Sequence, residues 1–412
     1  MNLSGASTVL VRPAGELGVK SASVQRRMEG TLRENVESAL ETRGFDATVE
    51  TEHTRMYVHT TSAALENVTR TLTGVFGVSS VSPVLTCEPT LDDIRGVLAE
   101  TAKEHYSGES FAVRARRAGQ REDHPFSSPE LERAGGTAVF EAAQEQGIEP
   151  TVDLDNPEIT FRVECRPDRA FVYLKRYEGP GGMPLGTQEP VVALVSGGID
   201  SPVATWLAMK RGCPVYPLYV DLGDFGGVDH RARAERTVAT LTRFTPGDLA
   251  LRVAPGGEGL GRIINSTGMY RMLFVRRFML RIAEYVADET EAVGIVTGEA
   301  IGQKSSQTAA ALRVTGAVTD YPVHRPLLSL DKGEIIEQAK AIGTYEDATI
   351  DAGCNRLAPD NPATQPSLDV VRNFEPDELD HDARDAAQNL ETVSLSETDD
   401  SDLCSPSRDS RV

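Results

Sequence analysis

A chain of 412 residues exceeds the roughly 250–300 that one hydrophobic core organises, so two or three domains are expected. Its 62 acidic residues against 42 basic ones give a net charge of −20, and arginine outnumbers lysine, the surface of a halophilic protein in a high-salt cytoplasm. No apolar run approaches the roughly 18 residues of a membrane span, the N-terminus lacks a signal-peptide core, and the scattered cysteines form no CxxC, which argues against structural zinc and a disulfide framework.

The expected location is therefore cytoplasmic. An acidic protein ordinarily binds nucleic acid poorly, but the Debye length falls to about 3 Å at 1 M salt, so local contacts decide and an RNA partner stays open.

The first 75 residues read as a small α+β unit. TVLVR (8–12) is strand-like, Val24 to Arg43 has helical spacing, Asp46–Val49 and Met56–Thr60 alternate, and a second helix follows over Ser62–Leu72. A second α/β unit occupies 76–178. Leu91–Glu104 is amphipathic, and FAVRARR (111–117) alternates with arginines on one face. SSPELERAGG (127–136) opens a helix on capping residues, and ITFRVEC with RAFVYLK makes a hairpin. Arg114, Arg116 and Arg117 are candidates to meet phosphates, against the plain alternative of a solvated strand face. GPGGMPLGT (179–187) is a glycine-rich linker.

VVALVSGGIDSP (191–202) then joins a buried parallel strand, a glycine turn and a helix start. Glycines let backbone N–H groups approach an anion, and the helix dipole favours negative charge; Ser196 and Ser201 add hydroxyls. The loop is neither a Walker A motif nor GxGxxG. CPVYPLYV (213–220), a helix over His230–Phe244, LALRV (249–253), a long helix over Met272–Ala287 containing Arg276 and Arg277, and AVGIVT (292–297) continue the alternation. The pattern predicts a doubly wound parallel sheet over 188–372 with its ligand at the strands' C-terminal ends, where SGGIDS, Tyr219–Val220 and Gly298 all fall. Residues 373–412 are acidic and serine-rich, and from Glu375 onward they read as a disordered tail.

SGGIDSP resembles the SGGxDS loop of the PP-loop ATP pyrophosphatases. FAVRARR, the helix after it and VDLDNPE (152–158) resemble the THUMP domain, and GPGGMPLGT is similar to a G-x-GG-x-P-x-GT connector. VRPAGELGVKSASVQRRMEGTLRENV resembles the opening of the ThiI family of tRNA 4-thiouridine synthetases, with Pro13-Ala14 where relatives carry Tyr or Ser beside the glycine. Taken from residue 8 to 370, the chain resembles that family throughout. The resemblance implies a ferredoxin-like N-terminal domain, a THUMP domain and a PP-loop domain. It implies that ATP adenylates O4 of a tRNA uridine (position 8 in the family), that a persulfide sulfur then attacks C4, and that AMP leaves. Some relatives also serve thiazole formation for thiamine, and a homodimer is the family's assembly.

Carried onto this chain, the ATP contacts are Leu194, Val195, Ser196, Gly197, Gly198, Asp200 and Ser201, with Tyr219 and Val220 flanking adenine and Arg276, Gly298 and Gln307 completing the site. Asp200 is expected to hold Mg2+ or orient the loop, Lys304 to assist the phosphates, and Cys354 in DAGCNRLAP to handle sulfur. Gly353 stands where many relatives have a second cysteine, and neither a rhodanese extension nor iron–sulfur ligands are expected. The sulfur donor is left as a desulfurase persulfide, sulfide or a carrier protein. The competing functions are a small-molecule PP-loop ligase or amidotransferase and a non-catalytic RNA-binding protein.

Overall fold

The computed structural model describes residues 5–52, 55–226, 229–304, 307–348, 359 and 363–396. Two compact units divide the chain, Met1–Gly182 and Met183–Val412. Among the described residues no helix is long and apolar enough to cross a membrane.

The first unit runs β1 (Thr8–Pro13), α1 (Ala22–Thr42), β2 (Ala47–Glu52), β3 (Arg55–Thr60), α2 (Leu65–Leu72) and β4 (Val78–Cys87). It continues α3 (Leu91–His105), β5 (Ser110–Arg117), α4 (Ser128–Glu145), β6 (Thr151–Val152), β7 (Ile159–Cys165), β8 (Ala170–Tyr173) and β9 (Tyr177–Glu178). α1 buries Met28, Leu32, Val36, Ala39 and Leu40, the apolar stripe its spacing predicts. α4 starts on a capping box in which Ser127 and Glu130 satisfy each other's backbone N–H groups. Phe111 meets Phe161 and Tyr106 edge to face, at 6.1 and 5.4 Å between ring centres, in the core beneath α3 and α4.

The two expected modules share one nine-stranded sheet in the order β2-β3-β1-β4-β8-β7-β5-β6, with β9 on β4. β4 makes that continuity. Its earlier residues pair with β1, and Leu85, Thr86 and Cys87 pair with β8.

The second unit runs β10 (Val191–Leu194), α5 (Asp200–Lys210), β11 (Val215–Asp221), α6 (His230–Leu241), β12 (Leu249–Pro255), α7 (Gly257–Ser266) and α8 (Arg271–Thr290). After these come β13 (Ile295–Val296), α9 (Ala309–Gly316), β14 (Val323–His324), α10 (Lys332–Ala341), α11 (Tyr345–Ala348), α12 (Leu368–Asn373), α13 (Leu379–Gln388) and β15 (Glu391–Leu395). The sheet order is β14-β13-β10-β11-β12-β15, parallel except for β15. The chain steps outward from β10 to β12, then returns to the other side of β10 for β13 and β14. The reversal leaves a crevice at the C-terminal ends of β10 and β13, where doubly wound sheets bind ligands.

The acidic end of the chain departs from its expected disorder. Residues 379–388 are helical and 391–395 add an antiparallel strand to β12. Acidic composition conceals a buried stripe of Leu379, Ala383, Ala386 and Ala387 at helical spacing, which joins the core around α8. Ion pairs fasten the same segment. Arg262 grips the buried Asp382, Arg231 donates to Glu391 at 2.8 Å, and Arg277 is bidentate to Glu375 at 2.8 and 2.6 Å. Cys404 lies outside the described residues.

The Arg277 side chain is only 3 % exposed. Glu375→Ala should therefore destabilise the protein by about 3 kcal/mol, since it strands a buried cation. Removing the exposed Arg33–Glu37 pair by Glu37→Ala should change stability by less than about 0.5 kcal/mol. Urea denaturation of the two variants measures the contrast.

Candidate active site

β10 leaves the sheet through Leu194 and Val195, the Val195 N–H donating to the Leu218 carbonyl of β11 at 2.9 Å. The chain then turns into α5 across Ser196–Ile199. Ser201 folds inward to brace this turn. Its Oγ accepts the Ser196 N–H at 2.8 Å and lies 3.0 Å from Ser196 Oγ, which accepts the Gly198 N–H at 3.3 Å. The two serines thus hold the loop's shape. The donors left for an anion are first-turn N–H groups of α5, which have no acceptor within the helix and sit at its positive end.

Two glycines set how closely neighbouring elements approach the loop. A Cβ on Gly197 would fall 3.0 Å from Arg233 Cβ and 3.1 Å from the His230 carbonyl of α6. One on Gly298, just beyond β13, would fall 2.7 Å from Ser201 N and 2.8 Å from Asp200 C. Gly298 accordingly lets the loop after β13 lie against the start of α5.

Asp200, in the first turn of α5, accepts a hydrogen bond from Lys332 Nζ at 2.7 Å. Lys332 begins α10 beside the capping box of Asp331 and Glu334. Lys304, the lysine expected to assist the phosphates, is exposed, and its carbonyl accepts the Gln307 N–H at 2.8 Å to close a turn; Lys332 was not expected. Nothing in local spacing links Lys332 to a residue 132 positions earlier.

Arg276 and Arg277 take separate tasks on α8. Arg277 is locked onto Glu375 and the Val314 carbonyl, whereas Arg276 Nε faces Glu299 Oε1 at 3.5 Å. Glu299 Oε2 accepts from Arg325 Nε at 2.9 Å and Thr297 Oγ1 at 3.2 Å. Glu299 and Arg325 were also absent from the sequence-based set; the TGEAIGQ string containing Glu299 was the available signal. Gln307 is buried, and its Oε1 has no hydrogen-bond partner among the described residues.

Tyr219 and Val220 point into the core. The Tyr219 hydroxyl lies 3.2 Å from Nδ1 of buried His230, so these positions can offer a ligand mainly their backbone at the strand end. Cys354 lies outside the described residues. Among described cysteines, burial pushes Cys87 up to about 12 and Cys165 up to about 11, and raises Cys213, so none is a ready thiolate.

In the first unit, a cavity of about 500 Å³ is lined by Arg12, Arg55, Arg114, Arg116, Arg162 and Arg176. The β5–β7 register creates it by placing Arg114 opposite Arg162 and Arg116 opposite Glu164. Buried Glu164 takes Arg55 Nε at 2.8 Å and Arg166 Nη2 at 3.3 Å. Arg12 lies 5.0 Å over the Tyr173 ring, and burial lowers its pKa from the ordinary arginine value. Arg117 departs from its expected role. The strand's alternation turns it away, and its guanidinium donates to the Phe126 carbonyl at 2.6 Å.

Three family profiles match in chain order: ThiI ferredoxin-like domain over residues 8–82, THUMP domain over 88–175, and Thiamine biosynthesis protein (ThiI) over 186–379. A probable tRNA sulfurtransferase of Halobacterium salinarum is 52% identical over 392 residues, spanning 95% of this chain and 98% of that protein. A probable tRNA sulfurtransferase of Methanosarcina acetivorans is 36% identical over 371 residues, 89% of each chain. The Halobacterium relative agrees with the halophilic composition. The crystal structure of a 4-thiouridine synthetase–RNA complex with bound ATP aligns at a TM-score of 0.81 and 28% identity, covering 95% of this chain and 100% of that one. PH1313 from Pyrococcus horikoshii, at 24% identity and a TM-score of 0.63, shares the fold.

Gly298→Ala should cost about 1–3 kcal/mol, because the atoms it strikes belong to the α5 backbone and cannot rotate away. Gly247→Ala, whose Cβ meets nothing within 4 Å, is the control. Equal denaturation midpoints for the two would refute the close approach.

Proposed function

The chain belongs to the ThiI family of tRNA sulfurtransferases, and we propose that its second unit uses ATP to adenylate O4 of a tRNA uridine before sulfur replaces that oxygen. The observation that carries this reading is the braced anion loop at the sheet's reversal, with Asp200 and Lys332 at its mouth. Uracil O4 is a poor leaving group. Attack of O4 on the α-phosphorus breaks the bond to the β-phosphate, pyrophosphate departs, and the C4–O bond then carries AMP as its leaving group.

First-turn N–H groups of α5 receive the β- and γ-phosphates, and Lys332 offsets charge growing on the departing pyrophosphate. Among the described residues the buried Gln307 Oε1 accepts no hydrogen bond, and the amino or hydroxyl groups of ATP can supply a donor. Mg2+ binds through one or two carboxylates plus phosphate oxygens, and a lone carboxylate beside a phosphate cradle fits it. Asp200 would hold the ion, which would neutralise phosphate charge. Among the described residues no group of three or more His, Cys, Asp or Glu side chains forms a closed metal cage.

The arginine-lined cavity supplies the tRNA contact. Its six guanidiniums face few carboxylates, so it attracts phosphate locally despite the chain's net charge of −20. Cys354 is assigned the sulfur-bearing role. A persulfide's terminal sulfur attacks the adenylated C4 and AMP leaves; a second thiol, supplied by the donor or a reductant, then attacks the Cys354 sulfur, breaking the S–S bond to release the thiolated uridine and leave Cys354 in a disulfide. A homodimer, modification at position 8 and a second role in thiazole formation belong to the same reading.

Pyrophosphate release from ATP in high salt should require unmodified tRNA. Lys332→Met should slow it at least about 100-fold, the scale of losing one preorganised charge contact. Cys354→Ala should retain tRNA-dependent release while losing sulfur incorporation. Release without tRNA would replace this reading with a small-molecule PP-loop ligase. For the RNA contact, Arg162→Gln should weaken tRNA binding and lower the salt dependence by about one ion. Arg117→Gln should leave the salt slope unchanged.

A further inference from the structure

We infer that Glu164 is a positioning residue for the RNA contact: its carboxylate draws arginines of β1 and β3 to those of β5 and β7, so that one cavity meets the phosphates. The inference rests on the RNA reading of that cavity given above. Alternation along β7 turns Phe161, Val163 and Cys165 into the core beneath α3 and α4, which leaves Arg162 and Glu164 on the opposite face of the sheet. The register with β5 sets Arg114 beside Arg162 and Arg116 beside Glu164, so the carboxylate stands in a square otherwise made of arginines.

Three more arginines converge on it from outside that square. Oε1 lies 2.8 Å from Arg55 Nε and 3.3 Å from Arg166 Nη2, and Oε2 stands 3.7 Å from Arg12 Nη2. Arg55 belongs to β3 and Arg12 to β1, and the sheet runs from β3 through β1, β4 and β8 to β7. On a flat sheet those four steps of about 4.8 Å would part β3 and β7 by roughly 19 Å, farther than a glutamate and an arginine reach together. The sheet is therefore bent toward this face, and the Glu164–Arg55 pair closes the bend.

The arginines fall into two layers. Arg12, Arg55 and Arg166 are largely buried with Glu164, whereas Arg114, Arg116 and Arg176 are exposed at the rim. Three buried cations facing one another would separate without an anion, and Glu164 is the carboxylate that joins them. Among the described residues no carboxylate pairs with Arg116 or Arg162, so their N–H groups can meet phosphate. The inner layer thus sets the curvature, and the curvature sets how closely the outer layer converges.

The experiment measures binding of unmodified tRNA by the full chain across a series of salt concentrations, with the active fraction fixed by stoichiometric titration. Glu164→Gln should weaken binding roughly tenfold and lower the salt dependence by about one ion, because the arginines no longer converge on the same phosphates. Simple charge counting predicts the opposite, since removing a negative charge from the cavity would tighten binding. Arg55→Gln should weaken binding by a similar factor, and Glu164→Asp, its charge kept but drawn back by one methylene, by less. The double variant Glu164→Gln/Arg55→Gln should bind no worse than the weaker single variant, because both substitutions remove one link. A structural role alone would lower the melting temperature and the active fraction, with the affinity and salt slope of that fraction unmoved. That outcome, tighter binding by Glu164→Gln, or full additivity in the double variant would overturn the inference. Unchanged binding by Arg162→Gln would instead remove the RNA reading of the cavity on which it rests. Should Glu164→Gln fail to fold, Glu164→Asp and Arg55→Gln carry the same test, and unaltered affinity in both would sink it.

Discussion

The second unit depends on how closely Gly298 lets the loop after β13 approach the start of α5. With no Cβ between them, the ends of two parallel strands meet around one helix N-terminus, at the point where the chain reverses direction across the sheet. Everything charged in the crevice is placed from there. Asp200 belongs to that helix start, Glu299 follows the glycine directly, and Lys332 arrives from α10 to meet Asp200. Ser196 and Ser201 then spend their hydroxyls on each other and on the loop's own backbone. The loop is consequently held in shape by the chain's own hydroxyls, the preorganisation that the proposed phosphate site calls for.

Local strings made most of this site legible, because a strand, a glycine turn and a helix start are consecutive in the chain. The doubly wound order also followed, since alternation of strands and helices limits the topologies available. Residues that act across the sheet were less readable. Lys332 and Arg325 come from elements that carry no motif, and only the β13–β14 pairing brings Arg325 to Glu299. For Arg117 the miss was one of period. RARR invites a cluster, but in a strand adjacent residues face opposite sides, and Arg117 caps the Phe126 carbonyl instead. The tail was misjudged because mean composition was used where spacing mattered. Helix α13 is acidic on average and apolar along one stripe.

Charge works at two scales in this protein. Globally the chain is strongly acidic, which suits solubility in concentrated salt. Locally, β5 and β7 gather arginines into one cavity, while Glu164 is spent on Arg55, Arg166 and Arg12. Buried Glu164 keeps the arginines at the cavity base from repelling one another, and those nearer solvent stay available. A short Debye length in high salt favours this division, because only contacts within a few ångströms then retain their strength.

The distribution of cysteines bears on the sulfur step in the same physical terms. A persulfide carrier needs an accessible thiol that ionises readily; Cys165 is buried, and desolvation pushes Cys87 up to about 12 and Cys165 up to about 11. Burial raises Cys213 as well. Cys87 and Cys165 belong to the packing of the core beneath α3 and α4. None of these three suits the sulfur-bearing role proposed for Cys354, and beyond that residue Ala363 donates to the Met269 carbonyl while the Thr364 carbonyl accepts from Thr308. Both partners lie beside functional elements: Met269 precedes α8, which carries Arg276, and Thr308 follows Gln307 in the loop begun by Gly298. Residues 363 and 364 thus join the described fold beside the elements that carry Arg276 and Gln307.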